Sequence, residues 1–162
     1  MASDEFVYVI YIAATPDAVW TALLDGEFTR RYWDHDNVSD WRPGSPWEHR
    51  RVDAAGTADI VGTVVEADPP KRLVLTWANP EDKARPDRHS RVTFEIEPVA
   101  EMVRLTITHE QLDADMRRKV ASGWPRVVSS LKSLLETGRP LQTWAGPVPV
   151  NHEPVAAKGE PR

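Results

Sequence analysis

The sequence predicts an α+β chain in which a curved antiparallel sheet wraps around one long C-terminal helix, with short helices after strand one. Three observations predict it. From about residue 37 apolar and polar residues alternate in five successive runs, the period of half-buried strands. The stretch "DADMRRKVASGWPRVVSSLKSLLETG", residues 113 to 138, repeats at helical spacing instead. It gathers Val120, Trp124, Val127, Val128, Leu131, Leu134 and Leu135 on one face, and Lys119, Arg126, Ser130 and Lys132 on the other. A sheet with one dry face needs a cover, and this helix has the matching apolar face, which makes a helix-grip arrangement.

The first element is "EFVYVIYIAA", residues 5 to 14, β-branched and aromatic throughout. Both its faces are apolar, which predicts a strand covered on both sides. "TPDAVWTALLDG" follows as a short helix, with Thr15 as N-cap, Pro16 at the first helical position and Asp17 at the positive end. Val19, Trp20, Leu23 and Leu24 form its buried stripe, and Gly26 is placed to end it in a left-handed conformation. "EFTRRYW" adds a further helical turn or two, with Phe28 and Tyr32 on one side.

The strands of the meander are "PWEHRRV", "TADIVGTVVEA", "RLVLTWA", "HSRVTFEIE" and "EMVRLTITHEQ". Their breaks carry turn chemistry at Pro43-Gly44, Ala55-Gly56, Pro69-Pro70, the polar loop from Asn79 to Arg88, and Pro98. Val92, Phe94 and Ile96 share one face of their strand, opposite Arg91, Thr93, Glu95 and Glu97; Val103, Leu105, Ile107 and His109 likewise share a face. Isolated Gly56 and Gly62 fit turn and bulge positions. Two units result: an ordered domain over residues 1 to 138, and a proline-rich tail over 139 to 162, mostly disordered, with Leu141 and Trp144 as residues that could dock back.

Composition narrows the function. A chain of 162 residues with 41% apolar content suits one domain with a real core. No apolar run is long enough to cross a bilayer, and no basic-then-apolar signal segment opens the sequence. Without cysteine, disulfides and thiolate chemistry are excluded, and a cytoplasmic location is the simplest expectation. A net charge of −5 with no sustained basic stripe argues against nucleic acid as the main partner. Seven tryptophans are many for this length, and suit a large core or an apolar cavity.

The stretches "ATPDAVWTALLDGEFTRRYW", "EADPPKRLVLTW", "RVTFEIEP", "RLTITHEQL" and "SGWPRVVSSLKSLLETG" resemble the activator-of-heat-shock-protein-ATPase homologue-like branch of the START-like (SRPBCC) superfamily. The resemblance covers roughly residues 5 to 138. It implies a helix-grip fold around a cavity for apolar ligands, and constrains fold better than function.

Candidate chemistry is sparse. His109 follows Leu105 and Ile107 on the dry face, where it suits a polar handle in a cavity, a general base, or a core histidine tied to a neighbour. "DHDN", residues 34 to 37, sets His35 between carboxylates, but adjacent residues seldom converge on a metal, so the expectation is a solvated turn and no metal site. Trp47, His49 and Arg51 face one way along their strand, inward or outward. No Ser-His-Asp spacing, phosphate loop or HExxH motif occurs, and no cofactor is expected.

Gly123 and Pro125 flank Trp124 in the middle of the best helix, although both weaken helices. One reading is a single helix that approaches the sheet at Gly123, bends at Pro125 and aims Trp124 into a cavity. The other starts a separate helix at Pro125.

The leading functional expectation is the binding of a small lipophilic or aromatic molecule, with Trp20, Trp77, Phe94, Leu105, Ile107, His109 and Trp124 as lining. An alternative is an enzyme on the same fold, a cyclase or hydrolase acting on an aromatic or polyketide-like substrate, with His109, Glu48 or Glu95 as acid or base. A third is a chaperone-associated interaction module. A homodimer is compatible with each.

Overall fold

A computed structural model describes residues 4 to 143. The expectations for Trp144 and the remainder of the tail lie outside the described residues. Seven strands form one antiparallel sheet: β1 (Phe6–Ile12), β2 (His35–Val38), β3 (Pro46–Arg51), β4 (Ala58–Asp68), β5 (Arg72–Trp77), β6 (Ser90–Val99) and β7 (Met102–Glu110). Their spatial order is β1-β7-β6-β5-β4-β3-β2, so β2 to β7 form a meander and β1 joins beside β7. Two short helices, α1 (Pro16–Leu24) and α2 (Gly26–Trp33), link β1 to β2 at the opposite edges of the sheet. The long helix α3 (Ala114–Thr137) covers the concave face.

The local chemistry explains the helix ends. The Thr15 side chain accepts from the amide of Ala18, and Asp113 accepts from that of Met116 at 2.8 Å, so both α1 and α3 begin on a side-chain cap. Gly138 ends α3 at φ +84°, its amide bonded to the carbonyl of Leu134. Gly26 does not end α1 as expected. Asp25 closes that helix with extended backbone and caps α2 through a bond from the amide of Glu27, so Gly26 starts the next helix. The left-handed residue here is Asp34, which ends α2 at φ +58° and is of a type that tolerates this conformation.

α3 runs unbroken through Pro125, so there is one helix and no second start. Its Val120, Trp124, Val127, Val128, Leu131 and Leu134 are buried against the sheet. They meet Leu73, Leu75 and Trp77 of β5, Val92, Phe94 and Ile96 of β6, and Val103, Leu105 and Ile107 of β7, which make up the core with Val19, Leu23 and Leu24 of α1 and Tyr32 and Trp33 of α2. The Tyr32 hydroxyl donates to the carbonyl of Ala22, tying α2 to α1 inside this core. Beyond α3 the backbone turns back: Ser133 donates to the carbonyl of Arg139, and Ser130 bonds both backbone groups of Leu141. The Leu141 side chain stays half exposed.

Other sequence expectations change as well: Ser130, expected on the solvated face of α3, is fully buried. Strand β1 lies at the sheet edge, and Val7, Val9 and Tyr11 are 50%, 45% and 40% exposed on its outer face. An apolar outer face does not by itself supply a covering layer. Pro98 is not a break: it pairs with Val103 inside β6, and the hairpin turns at Ala100 and Glu101, with Ala100 at φ +55°. The proline's missing N–H is tolerated close to the end of its strand. Residues 35 to 38 form strand β2 rather than a solvated turn, and Asn37 is buried. Gly62 is not itself the bulge; the register of β4 with β5 shifts between Val64 and Glu66.

Gly62 has a different task. It pairs with Trp47 across β3 and β4, and the Trp47 indole passes over it to donate to the carbonyl of Thr76 on β5 at 2.9 Å. A Cβ at Gly62 would lie 1.9 Å from that carbonyl oxygen and 2.5 Å from Trp47 Nε1. Gly62→Ala should therefore break the Trp47 bond and force β4 away from β5. We expect a loss of more than about 2 kcal/mol in urea unfolding, at the upper end of the usual cost of overpacking; an unchanged midpoint would contradict this account.

Candidate functional site

A pocket of about 200 Å³ opens between α3 and the β4–β5 end of the sheet. Its α3 side is the stripe Met116, Lys119, Val120, Gly123, Trp124 and Val127, spaced three and four apart as one helix face requires. Ile60 of β4, Trp77 at the end of β5, Asn79 two residues beyond it, and Trp33 of α2 complete it. Gly123 lines this opening directly, which gives the sequence Gly-Trp-Pro a place in the fold: glycine at the pocket, tryptophan turned in behind it.

Trp124 is 3% exposed and joins a cluster of rings. Its centroid lies 5.4 Å from that of Trp33, 5.5 Å from Trp77 and 5.7 Å from Phe94, the last pair edge to face. Such tilted and edge contacts suit the positive rim and negative face of aromatic rings. Its polar end is also engaged. Trp124 Nε1 donates to His109 Nδ1 at 3.1 Å. Ser90 Oγ lies 2.9 Å from His109 Nε2 and itself donates to the carbonyl of Trp77 at 3.1 Å.

The order of donors fixes the tautomer. Nδ1 must accept from the indole, so the imidazole proton sits on Nε2 and is donated to Ser90. His109 is fully buried, and burial lowers its pKa to about 3. It is a neutral link in a chain running from α3 through β7 and β6 to β5, with both nitrogens occupied. A second imidazole, His49 of β3, stacks on His35 of β2 with centroids 3.9 Å apart and planes 6° apart. Asn37 donates to the carbonyl of Leu23 and presents its oxygen to His49 Nδ1, which donates at 2.6 Å. Burial, and then the electrostatic influence of the His35 ring, hold His49 well below the ordinary histidine range. His35 in turn faces the carbonyl of Trp33 and the carboxylate of Asp59 at 2.8 Å. These contacts fasten β2, and with it α2, to β3 and β4.

The orientation of the Trp47 strand is now fixed. Trp47 and His49 are buried, whereas Arg51 is exposed and bonds Asp59, because the β3–β4 register shifts between His49 and Arg50 and breaks the alternation. Of the residues expected to line a ligand site, Trp77 and Trp124 meet at the pocket. Phe94, Leu105, Ile107 and His109 are packed in the core behind them. Trp20 lines a different feature, an open groove beside Asp25, Glu27, Arg30, Asp36 and Trp41. Glu48 bonds Arg50, and Glu95 bonds Arg72, each partly exposed. Among the described residues no group of His, Asp or Glu is arranged to hold a metal ion.

Sequence reasoning missed Trp33, Ile60, Asn79, Met116 and Lys119. Met116 and Lys119 continue the Val120–Gly123–Val127 stripe and were within reach of helical spacing. Ile60 and Asn79 come together only beside the bridge between Val61 and Ala78, which no local pattern marks.

A curled antiparallel sheet gripping one long helix, with a pocket between them, defines a START-like helix-grip protein. The chain belongs to the activator of Hsp90 ATPase homolog 1-like family, whose model matches residues 13–136. No curated protein matches the sequence. Among solved structures, the solution structure of CalU16 from Micromonospora echinospora superposes with a TM-score of 0.72 at 19% identity, covering 94% of this chain and 76% of that one. The Aha1 dimer from Colwellia psychrerythraea gives 0.68 at 22% identity, with 83% and 97% covered. PFC0360w, an HSP90 activator from Plasmodium falciparum, gives 0.67 at 20% identity, with 81% and 95% covered. These likenesses establish the shared fold.

The hydrogen-bond chain predicts a pH dependence. A histidine at about 6.5 when unfolded and about 3 when folded binds more protons in the unfolded state between those values. Its contribution is therefore complete above about pH 6.5 and is lost as pH falls toward 3. His109→Gln removes this titration. The variant should be less stable at pH 7 by about 1–3 kcal/mol, the cost of disturbing buried hydrogen bonds. Its stability should fall less steeply than the parent's between pH 6 and about 4. Parallel slopes in urea unfolding at several pH values would contradict the assignment.

Proposed function

We propose that this chain binds a small, flat, apolar molecule in the pocket between α3 and the sheet. The observation that carries this reading is the wall itself: Trp33, Trp77 and Trp124, with Ile60, Val120 and Val127, surround a space that polar groups enter only at Asn79 and Lys119. Ligand sites are typically concave and apolar with a few polar groups. At about 200 Å³ the space is smaller than the roughly 300–1,000 Å³ common for drug-sized ligands, so one or two fused rings, or such a portion of a larger molecule, fit it best. Affinity would come from apolar burial and ring contacts.

The acid–base alternative receives less support. A general base needs a free lone pair within reach of substrate. Both His109 nitrogens are occupied, and Glu48 and Glu95, each partly exposed, are paired with arginines away from the pocket. The description of the Plasmodium protein as an HSP90 activator is what supports the chaperone-partner alternative. The pocket favours ligand binding over it.

Titration with bicyclic aromatic compounds, followed by tryptophan fluorescence, tests the proposal. Quenching should saturate, and the melting temperature should rise with ligand. Ile60→Trp, at a half-buried wall position, should abolish the response while the protein stays folded. A parent protein indifferent to the whole panel would overturn the reading.

Self-association is a second part of the proposal. The exposed Val7, Val9 and Tyr11 lie on edge strand β1, and the Colwellia relative was solved as a dimer. Such an edge offers unpaired backbone groups and apolar side chains together. Light scattering after size exclusion should show a dimer for the parent and a monomer for Val9→Lys; a parent that stays monomeric at high concentration would exclude it.

A further inference from the structure

We propose that Trp144, which lies just beyond the described residues, is a built-in occupant of the pocket that an incoming ligand must displace. This rests on the pocket being a ligand site, and goes on to say how the chain regulates access to it. The course of the backbone beyond α3 carries the inference. Arg31 donates to the carbonyl of Gly138 at 3.2 Å, and Ser133 to that of Arg139 at 2.7 Å. Ser130 bonds both backbone groups of Leu141 at 2.9 Å. The chain therefore doubles back along α3, and two of its residues pass three positions of the helix. Thr143 is 7% exposed, so the chain is still packed on the domain two residues further on.

The row of α3 that this segment follows leads to the pocket. Ser133 and Ser130 lie on one helix row, and steps of three and four continue it through Val127, Gly123 and Val120 to Met116, all four of them pocket wall. From Ser130 to Gly123 the helix rises about 10 Å, at roughly 1.5 Å per residue. Leu141 sits beside Ser130, and three extended residues also span about 10 Å. The third residue after Leu141 is Trp144, so Trp144 is the one that reaches Gly123.

The residue types suit the same place. Trp144 is the only Trp, Tyr or Phe after Trp124, and "WAGPVPV", residues 144 to 150, carries no charge. Pro147 and Pro149 lack the N–H that an apolar site would leave unpaired. An indole is a pair of fused rings, the size that a space of about 200 Å³ takes. Gly123 puts no side chain in its way, and Trp33, Trp77 and Trp124 offer rings for it to meet. The tether makes this contact intramolecular, so even a weak fit is populated at high effective concentration. An external ligand then binds only the fraction of molecules whose pocket is open, and its apparent affinity falls by that fraction.

The test uses the full chain and free indole, which carries the ring system of Trp144 without the tether. In protein labelled with fluorotryptophan, Trp144→Ala identifies the Trp144 fluorine signal by its loss, and the change in shift between light and heavy water reads its exposure. The parent signal should be shielded from solvent, and should become exposed at saturating indole. Calorimetry should show indole binding about tenfold tighter to Trp144→Ala than to the parent, as expected for a pocket that the tail fills about nine-tenths of the time. A Trp144 signal exposed in the parent, or equal affinities, overturns this inference and leaves the pocket as a ligand site. A signal still shielded with indole bound overturns it by placing Trp144 elsewhere on the domain. Absence of indole binding to Trp144→Ala overturns the pocket reading as well.

Discussion

The hydrogen-bond chain from Trp124 through His109 and Ser90 to the Trp77 carbonyl holds the two layers of this protein in register. Apolar contact between a helix and a sheet is non-directional and tolerates sliding. A chain of donors and acceptors does not. Each member here has one proton to give and one place to give it, so a shift of α3 by one turn would leave a buried indole and a buried imidazole unpaired. Closed polar networks of this kind specify one arrangement of a core. The position of Trp124 in turn sets where the α3 stripe meets β4 and β5, and therefore where the pocket lies.

The other end of the sheet depends on a comparable device. β2 is short and lies at an edge, where backbone bonds to one neighbour alone would hold it weakly. Its side chains compensate. His35 stacks on His49 and reaches Asp59, while Asn37 bridges His49 and the carbonyl of Leu23. The Trp33 ring at the end of α2 lies 4.5 Å from His49, so the same contacts deliver a wall of the pocket. The strained-looking placement of Trp47 over Gly62 serves the same region, by letting β3, β4 and β5 approach closely enough to share one aromatic cluster.

This arrangement makes the interior of the helix grip largely self-filled. Trp33, Trp47, Trp77, Trp124, Phe94, His49 and His109 occupy much of the volume between helix and sheet, and the pocket remains at one end. Ring-on-ring packing with few bonds to rotate loses little conformational entropy, so the cavity can be walled by large side chains without being floppy. What is left open is a small space of about 200 Å³, walled by rings and touched by few polar side chains.

The sequence by itself determined the elements and their inward faces. The period-two runs located β3 to β7 within a residue or two, because one buried face writes its alternation into the chain. The helical stripe through Trp124 located α3, and Thr15 marked the start of α1, where the cap chemistry is local. Sequence also placed His109 on the dry face. Tertiary structure decided the rest. Whether β1 was covered depended on what lay over its outer face, and Val7, Val9 and Tyr11 carry no record of that. Whether "DHDN" was a turn or a strand depended on His49 and Asp59, which bond Asn37 and His35 from 12 and 24 positions away in the chain. Arg51 left the face of Trp47 and His49 because of a register shift with β4, which alternation within β3 cannot show. The role of His109 depended on two partners, Ser90 and Trp124, 19 and 15 residues distant, whose distances of 2.9 and 3.1 Å exist only after the sheet has curled around the helix. Periodicity reports which way a side chain faces; what it then meets is set by the packing of elements that are far apart in the chain.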